Sequence, residues 1–143
     1  MLYLRKCTND DIPHAAQLMC AVYKEPPFNE NWQYDRAEKR ITAFLSGIGG
    51  KGYSMNIDTS VIGYLFGRTD ISAKGDVFYI QELFVDPSYQ RKGAGSMAIE
   101  QLIEELRKEN VKKLELHTIS EDIGFYKKNG FKPSSFLFLE KDI

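Results

Sequence analysis

Metal ligands, disulfide-forming residues and an excess of charge of one sign are all scarce in this sequence. It contains two cysteines and two histidines, and Cys7 and Cys20 fit no metal-ligand spacing, so we expect neither a metal site nor a disulfide framework. The two thiols are expected to be small buried hydrophobes in a reducing compartment. With 19 basic and 20 acidic residues the formal net charge is −1, which lacks the basic excess that nucleic-acid binding requires.

Long apolar runs are lacking as well. No stretch approaches the roughly 20 apolar residues that a membrane span requires. Charge appears already in the opening MLYLRKCTNDD, before the apolar core of a signal peptide could form. We therefore expect a soluble, cytoplasmic protein without a membrane partner. The 143 residues fit one globular domain, 1–143, that can bury a core without a disulfide or metal staple.

Strand and helix patterns alternate along the chain in the order βαα-ββ-βα-βα-β, which predicts an α/β fold with a mixed sheet. Thr8 and Asp11 have the spacing of an acidic capping box at the start of the first helix, and Gly130 is placed to end the last one. The predicted strands are 2–7, 53–57, 61–68, 77–85 and 113–118, the helices are 8–23, 34–45, 94–109 and 121–129, and 131–139 closes the chain in extended form.

The most informative stretch is YIQELFVDPSYQRKGAGSMAIEQLI, residues 79–103. The strand at 77–85 is apolar on both faces, which predicts a central strand that is covered on both sides. Pro87 should end its pairing, because proline has no N–H to donate. Strict alternation places Val77, Tyr79, Leu83 and Val85 on one face and Phe78, Ile80 and Phe84 on the other.

An anion-binding turn is predicted where this strand leads into the long helix. The first N–H groups of a helix have no internal partner and point outward at its positive end, so a phosphate-bearing ligand is expected there. Two glycines remove side chains that would block a diphosphate, and two cations add positive charge at the rim. The dinucleotide-binding fingerprint does not fit, because Ala98 occupies its third glycine position, and no G-K-[ST] follows as in a P-loop. The predicted cradle consists of Gln90, Arg91, Lys92, Gly93, Ala94, Gly95 and Ser96.

The strand ending in V-D-P, the Q-x-x-G-x-G turn and the later FYKKNGF at 125–131 resemble the GNAT superfamily of N-acetyltransferases. The resemblance covers residues 77 to 131 well and the first sixty residues only in the order of elements. ELFVDPSYQRKGAG also looks similar to the aminoglycoside-type branch. The resemblance implies a mixed, mostly antiparallel central sheet of six to seven strands, flanked by about four helices and splayed at the cofactor site. It also makes a homodimer an expectation.

The family resemblance further implies acetyl-CoA as co-substrate and no metal. Backbone N–H groups of the cradle would hold the pyrophosphate, and main-chain groups of Leu83, Phe84 and Val85 would pair with the pantetheine arm like an added strand. Many members carry an asparagine at the position of Ile119, so side-chain contacts to CoA from that loop are not expected here.

The same resemblance makes Tyr126 the candidate general acid, which would protonate the departing thiolate. Glu82 is the candidate base, because it interrupts an apolar face where an unpaired carboxylate is costly. Either a cation pairs with it, or it borders a wet cleft in which burial raises its pKa. His117 on the next strand is a rival base, and water is another.

The acceptor is expected to be a small-molecule or peptide primary amine. The resemblance implies that the segment from Tyr23 to Arg40 lines its pocket, and its mixture of carboxylates and aromatic rings suits a cation. A solvated helix face with a few core aromatic rings is the alternative for this segment. Two other functions stay open: a non-catalytic acetyl-CoA-binding sensor or interaction module, and a structural α/β domain without a ligand. The members of that mixture are Glu25, Phe28, Glu30, Trp32, Tyr34, Asp35 and Glu38.

Overall fold

The computed structural model describes residues 1–143 and contains one sheet and four α-helices. The strands are β1 (Leu2–Lys6), β2 (Gly50–Ile57), β3 (Ser60–Asp70), β4 (Asp76–Val85) and β5 (Val111–Glu115). The helices are α1 (Ile12–Lys24), α2 (Tyr34–Ser46), α3 (Ala94–Lys108) and α4 (Ile123–Lys128). None of these helices is both long and apolar enough to cross a membrane.

The sheet has the strand order β1-β2-β3-β4-β5, in which β1 to β4 are antiparallel neighbours and β5 runs parallel to β4. The α/β fold with a mixed sheet and four helices is therefore confirmed, whereas the expected six to seven strands are wrong by at least one. The first helix also begins as predicted, because Thr8 and Asp11 close a capping box ahead of α1.

Helices cover both faces of the sheet, and each interface forms its own core. On one face α1 and α2 pack against the rings of Tyr64, Phe66 and Phe84. On the other face α3 packs against Phe78 and Ile80. β4 contributes to both cores, as expected for a central strand that is covered on both sides.

A β-bulge interrupts the pairing of β4 with β3. Glu82 lies opposite Phe66 and Ile80 lies opposite Gly67, so that Gln81 has no partner across the ladder. An extra residue in one strand exchanges the faces that the following side chains occupy. The bulge therefore decides on which side of the sheet Glu82 lies.

The strict alternation expected for β4 is wrong beyond this bulge. Phe78 and Ile80 pack in the α3 core, but Phe84 packs in the α1–α2 core, and Leu83 contacts the α3 core in its place. Glu82 shares the face of Phe84 on the side of α1 and α2, where Tyr23 and Arg40 contact it.

The extended C-terminal segment predicted at 131–139 forms no strand, which accounts for the missing sheet member. Pro133 has no N–H for a ladder, and the Phe136 N–H donates instead to the Ser134 hydroxyl at 3.0 Å. The side chains of Phe136–Leu139 are 67 to 85% exposed, and β5 is left as an edge strand.

Candidate active site

The loop between β4 and α3 is held by its own side chains. Asp86 accepts the Ser88 N–H at 2.8 Å, and the Gln90 side chain donates to the Val85 carbonyl at 2.8 Å. The Lys92 ammonium donates to the Ser88 carbonyl at 3.2 Å. Because these bonds tie the loop to the end of β4, the chain enters α3 at a fixed position beside the sheet.

Six consecutive backbone N–H groups, from Arg91 to Ser96, have no hydrogen-bond acceptor within the protein. The first bond of α3 runs from the Met97 N–H to the Gly93 carbonyl at 3.0 Å, and no side chain caps this helix. Arg91 and Gly93 have φ values of 61° and 83°, left-handed conformations that turn successive N–H groups into an anion-binding concavity. The predicted cradle thus offers six free donors at the positive end of α3.

The two cradle glycines have different surroundings. A Cβ placed on Gly93 would have no heavy atom within 4 Å, so this position borders open space. A Cβ on Gly95 would lie 2.8 Å from Cζ of Phe125 in α4. Gly95 therefore allows α4 to pack closely against the start of α3, which brings the neighbouring Tyr126 towards the cradle.

β4 and β5 separate beside the cradle. β5 pairs with β4 only from Asp76 to Tyr79, and β4 continues to Val85 with β3 as its only neighbour. Main-chain groups that point away from β3 in this part of β4 have no strand partner. Leu83, Phe84 and Val85, which were predicted to hold an extended pantetheine arm, all lie in this unpaired edge.

Glu82 is held by two side chains from the helical layer above it. Its Oε1 accepts a hydrogen bond from Nε of Arg40 at 3.0 Å and forms an ion pair with Nη2 of the same guanidinium at 2.9 Å. Its Oε2 accepts the Tyr23 hydroxyl at 2.5 Å. The Glu82 side chain is only 10% exposed. Of the two situations foreseen for this carboxylate, pairing with a cation is the one that the structure contains.

Burial dominates the protonation of Glu82. Loss of solvent raises the pKa of this carboxyl, and the hydrogen bond from Tyr23 and the charge of Arg40 counteract only part of that rise. Glu30, in the loop between α1 and α2, adds a negative charge that raises the pKa further. A carboxylate with a raised pKa is better suited to accept a proton near neutral pH than an exposed glutamate.

Tyr126 is positioned by the way α4 ends. Gly130 has a φ of 88°, its N–H donates to the Lys127 carbonyl at 3.1 Å, and the Phe131 N–H returns to the Tyr126 carbonyl at 3.0 Å. This is a Schellman motif, in which apolar residues before and after the glycine commonly pack together. The rings of Tyr126 and Phe131 lie edge to face with centroids 5.6 Å apart. The FYKKNGF sequence thus fixes the tyrosine ring.

The Tyr126 hydroxyl makes no hydrogen bond within the protein, whereas the hydroxyls of Tyr23, Tyr64 and Tyr79 all do. Burial, followed by the negative charges of Asp122 and Glu82, raises the pKa of Tyr126 to about 12. The hydroxyl is therefore protonated at every physiological pH and free to donate. The charge of Glu82 is near enough to raise the pKa of Tyr126, so the two predicted catalytic residues lie in one region of the structure.

His117, the rival base, has other partners. Its Nδ1 is hydrogen-bonded to the Tyr79 hydroxyl, and its ring stacks on Phe138 with centroids 4.7 Å apart. No contact joins it to Glu82. It lies at a cavity of about 970 Å³ between β5, α4 and the C-terminal segment. Tyr126 also lines this cavity, but no cradle residue does. The cradle is a better candidate for the diphosphate site than this cavity, because free N–H donors bind a phosphate directly, whereas the size of a cavity does not identify its ligand.

Sequence reasoning missed two residues of the site, Arg40 and Tyr23. Both fall at the ends of the segment expected to bind the acceptor, but their pairing with Glu82 depends on the bulge in β4. Within that segment Glu30 accepts the Trp32 indole N–H at 3.1 Å, whereas Tyr34 and Glu38 bond each other on an exposed surface. No group of histidine, cysteine and acidic side chains is arranged to hold a metal ion.

The chain matches the model of the acetyltransferase (GNAT) family over residues 16–131. No curated protein matches it significantly. Among solved structures, a possible acetyltransferase from Clostridium difficile 630 superposes with a TM-score of 0.85 at 20% identity, over 100% of this chain and 98% of that chain.

Two further solved structures share the fold at lower identity. An aminoglycoside acetyltransferase from an uncultured soil metagenomic sample, in complex with sisomicin, has a TM-score of 0.74 at 16% identity, over 99% of this chain and 97% of that one. AAC(6')-Iy in complex with the bisubstrate analog CoA-S-monomethyl-acetylneamine has a TM-score of 0.76 at 14% identity, over 100% and 99% of the two chains. At these identities the likeness establishes the fold.

Proposed function

This chain belongs to the acetyltransferase (GNAT) family, and we propose that it transfers the acetyl group of acetyl-CoA directly to a primary amine. The observation that carries the proposal is the row of six unpartnered N–H groups at the start of α3, from Arg91 to Ser96. A helix terminus that no side chain caps, preceded by left-handed residues, is a binding site for a phosphate group. The CoA-containing analog bound to one structural neighbour supports the same assignment.

The unpaired edge of β4 supports a place for the rest of the co-substrate. With the pyrophosphate on the cradle, a pantetheine arm could run along Leu83, Phe84 and Val85 and use their free main-chain groups as an added strand would. A main-chain N–H at this edge can also stabilise the negative oxygen that develops on the attacked carbonyl. The thioester would then lie where β4 and β5 separate.

The reaction is a nucleophilic acyl substitution. The neutral amine nitrogen attacks the thioester carbonyl carbon, a C–N bond forms and the C–S bond breaks, which gives an amide and the CoA thiolate. The proton lost from nitrogen passes to Glu82, directly or through one water molecule. The Tyr126 hydroxyl donates a proton to the thiolate, and exchange with solvent restores both groups.

Arg40 and Tyr23 prepare Glu82 for this role. They occupy one lone pair or more on each carboxylate oxygen, so the carboxylate has a fixed orientation. Both also oppose the rise in its pKa that burial causes. Their donors stabilise the ionised carboxylate that a base requires, while burial keeps it more basic than an exposed glutamate.

An acceptor screen with acetyl-CoA tests the proposal. The full chain is incubated with acetyl-CoA and single amines, and the release of free thiol is followed over time. We expect release that requires an amine and is slower in the matched variant Glu82→Gln. Tight binding of acetyl-CoA without release for any amine would favour the sensor module instead. No binding of acetyl-CoA would refute both.

A further inference from the structure

A second cavity, of about 520 Å³, lies on the α2 side of the sheet and shares Arg40 with the Glu82 site. Its walls come from α2 and the adjoining parts of β2, β3 and β4. Glycines 47, 50 and 67 contribute only backbone to these walls, which leaves room for a ligand group. Gln81, the residue that the bulge frees from the ladder, lines it as well.

The side chains around this cavity carry one sign of charge. Arg36, Lys39, Arg40 and Arg68 all line it, and no acidic residue does. The three α2 residues are three and four positions apart, so they project from the same side of the helix. The indole of Trp32 lines the same cavity, and its ring lies 5.7 Å from the Arg40 guanidinium carbon.

Two of the four cations have carboxylate partners and two do not. Arg40 pairs with Glu82, and Arg68 pairs with Asp70 at 3.0 Å. Neither Arg36 nor Lys39 takes part in any ion pair of the structure. A guanidinium and an ammonium that converge on a recess without a counter-charge are suited to a phosphate or a carboxylate.

The opposite charge lies next to Arg40. Glu82, which is paired with Arg40, is the proposed acceptor of the amine proton, and the negative charge of Glu30 is near enough to affect it. An acceptor with a cationic end and an anionic end would therefore meet complementary charges in both places. A polycation such as an aminoglycoside would instead meet the two unpaired positive charges of Arg36 and Lys39 in the cavity.

We propose that the acceptor is a primary amine that also carries a compact anionic group, a phosphate or a carboxylate, and that Arg36 and Lys39 bind this group while the amine reaches Glu82. The proposal rests on the proposed acetyl transfer and names its substrate class. It replaces the purely cationic acceptor that the carboxylates of the 23–40 segment had suggested.

Calorimetric binding to the full chain, in the presence of CoA, tests the proposal without depending on turnover. The probes are two matched pairs: O-phosphoethanolamine against ethanolamine, and β-alanine against 3-aminopropanol. We expect the anionic member of at least one pair to bind about tenfold more tightly or better, because hydrogen bonds to charged groups are among the stronger polar contacts. The pair that shows the difference identifies phosphate or carboxylate as the preferred group. Equal binding within both pairs would overturn the proposal.

Two double variants with the same change in net charge complete the test. Arg36→Gln with Lys39→Gln should reduce the anionic preference to about twofold or less. Lys6→Gln with Lys74→Gln, at exposed positions without partners, should leave it unchanged. An equal loss of the anionic preference in both double variants would show that it depends on overall charge alone, and this would overturn the proposed anion site.

Thiol release from acetyl-CoA with the same probes separates this inference from the proposed function. Transfer to the neutral and anionic amines at equal kcat/KM would leave the acetyltransferase activity standing and refute the anion site. Selective binding of the anionic probe without transfer to any amine would leave the anion site standing and refute the proposed function. A better aminoglycoside acceptor than any anionic probe would also count against the site.

Discussion

Gly93 offers the sharpest test of the cradle, because Gly130 provides a matched control in the same chain. The two glycines have φ values of 83° and 88°, and a Cβ added to either would have no heavy atom within 4 Å. Alanine at either position should therefore cost the same conformational strain, about 1 kcal/mol for a left-handed residue. For a domain of this size the melting temperature should fall by roughly 3–5 °C in both variants.

Affinity for acetyl-CoA should separate the two positions. At Gly93 the added side chain would enter the open space that this position borders, where we expect it to displace the diphosphate from the free N–H groups. Loss of two such bonds to a charged group costs roughly 3 kcal/mol, which corresponds to about a hundredfold weaker binding. At Gly130 the side chain extends beyond the end of α4, far along the chain from the cradle, and affinity should stay within about twofold of the original.

Asparagine refines the comparison, because it tolerates a left-handed conformation better than most residues. Gly93→Asn and Gly130→Asn should both melt close to the parent protein, so that a difference in calorimetric affinity for acetyl-CoA cannot arise from unfolding. We expect Gly93→Asn to bind far more weakly and Gly130→Asn to bind normally. Unchanged affinity in Gly93→Asn, or the same loss in both variants, would show that the diphosphate does not lie on this turn.

Three further predictions concern the catalytic side of the site. Tyr126→Phe should lower the rate of thiol release by roughly a hundredfold and leave acetyl-CoA affinity within about twofold; an unaffected rate would mean that solvent supplies the proton. Activity should fall as the pH drops through the raised pKa of Glu82, and Glu82→Gln should flatten this acid limb of the kcat/KM profile. Tyr23→Phe should move the limb to higher pH, because it removes a hydrogen bond that lowers the pKa of Glu82. An acid limb that is the same in both variants as in the parent protein would exclude the carboxylate as the base. Gly95→Ala should push α4 away, because the added Cβ would lie 2.8 Å from the Phe125 ring, and it should reduce kcat more than acetyl-CoA affinity. Adding Phe125→Leu should restore part of kcat. Failure of this rescue would show that Gly95 does not act by positioning Tyr126.

The cradle could be predicted from the sequence because its parts are local. A proline that stops β4, two glycines and the start of an amphipathic helix all lie within ten residues, and unpartnered N–H groups at a helix start follow from covalent geometry alone. The Schellman ending of α4 is local in the same sense, since Gly130 determines it. The structure contains the unpartnered N–H groups at the start of α3 and the helix end at Gly130, both at the predicted positions.

The surroundings of Glu82 could not be predicted in the same way, because they depend on one long-range irregularity. Nothing in the letters 77–85 shows that Gln81 lies outside the ladder, and without that bulge Glu82 would face α3. The partners Tyr23 and Arg40 are 59 and 42 residues away along the chain. The prediction of a final extended segment in the sheet was wrong for a different reason. The continuous apolar run at 136–139 is compatible with a strand, but Pro133 lacks an N–H and the Ser134 hydroxyl accepts the Phe136 N–H, so ladder bonds are lost there.

The raised pKa of Tyr126 bears on whether a phenol can protonate a thiolate at all. In water a phenol has a pKa of ~10 and a thiol one of ~8.5, so the transfer would be unfavourable. Burial changes both partners in the same direction: it raises the pKa of Tyr126 to about 12, and it raises the pKa of the half-buried Cys7 thiol in this protein to about 12 as well. A thiolate expelled into a cleft without water beside Tyr126 would also lose its solvation, which raises the pKa of its conjugate thiol. If Tyr126 is the proton donor, the transfer should therefore be more favourable when the cleft between β4 and β5 excludes water as the C–S bond breaks.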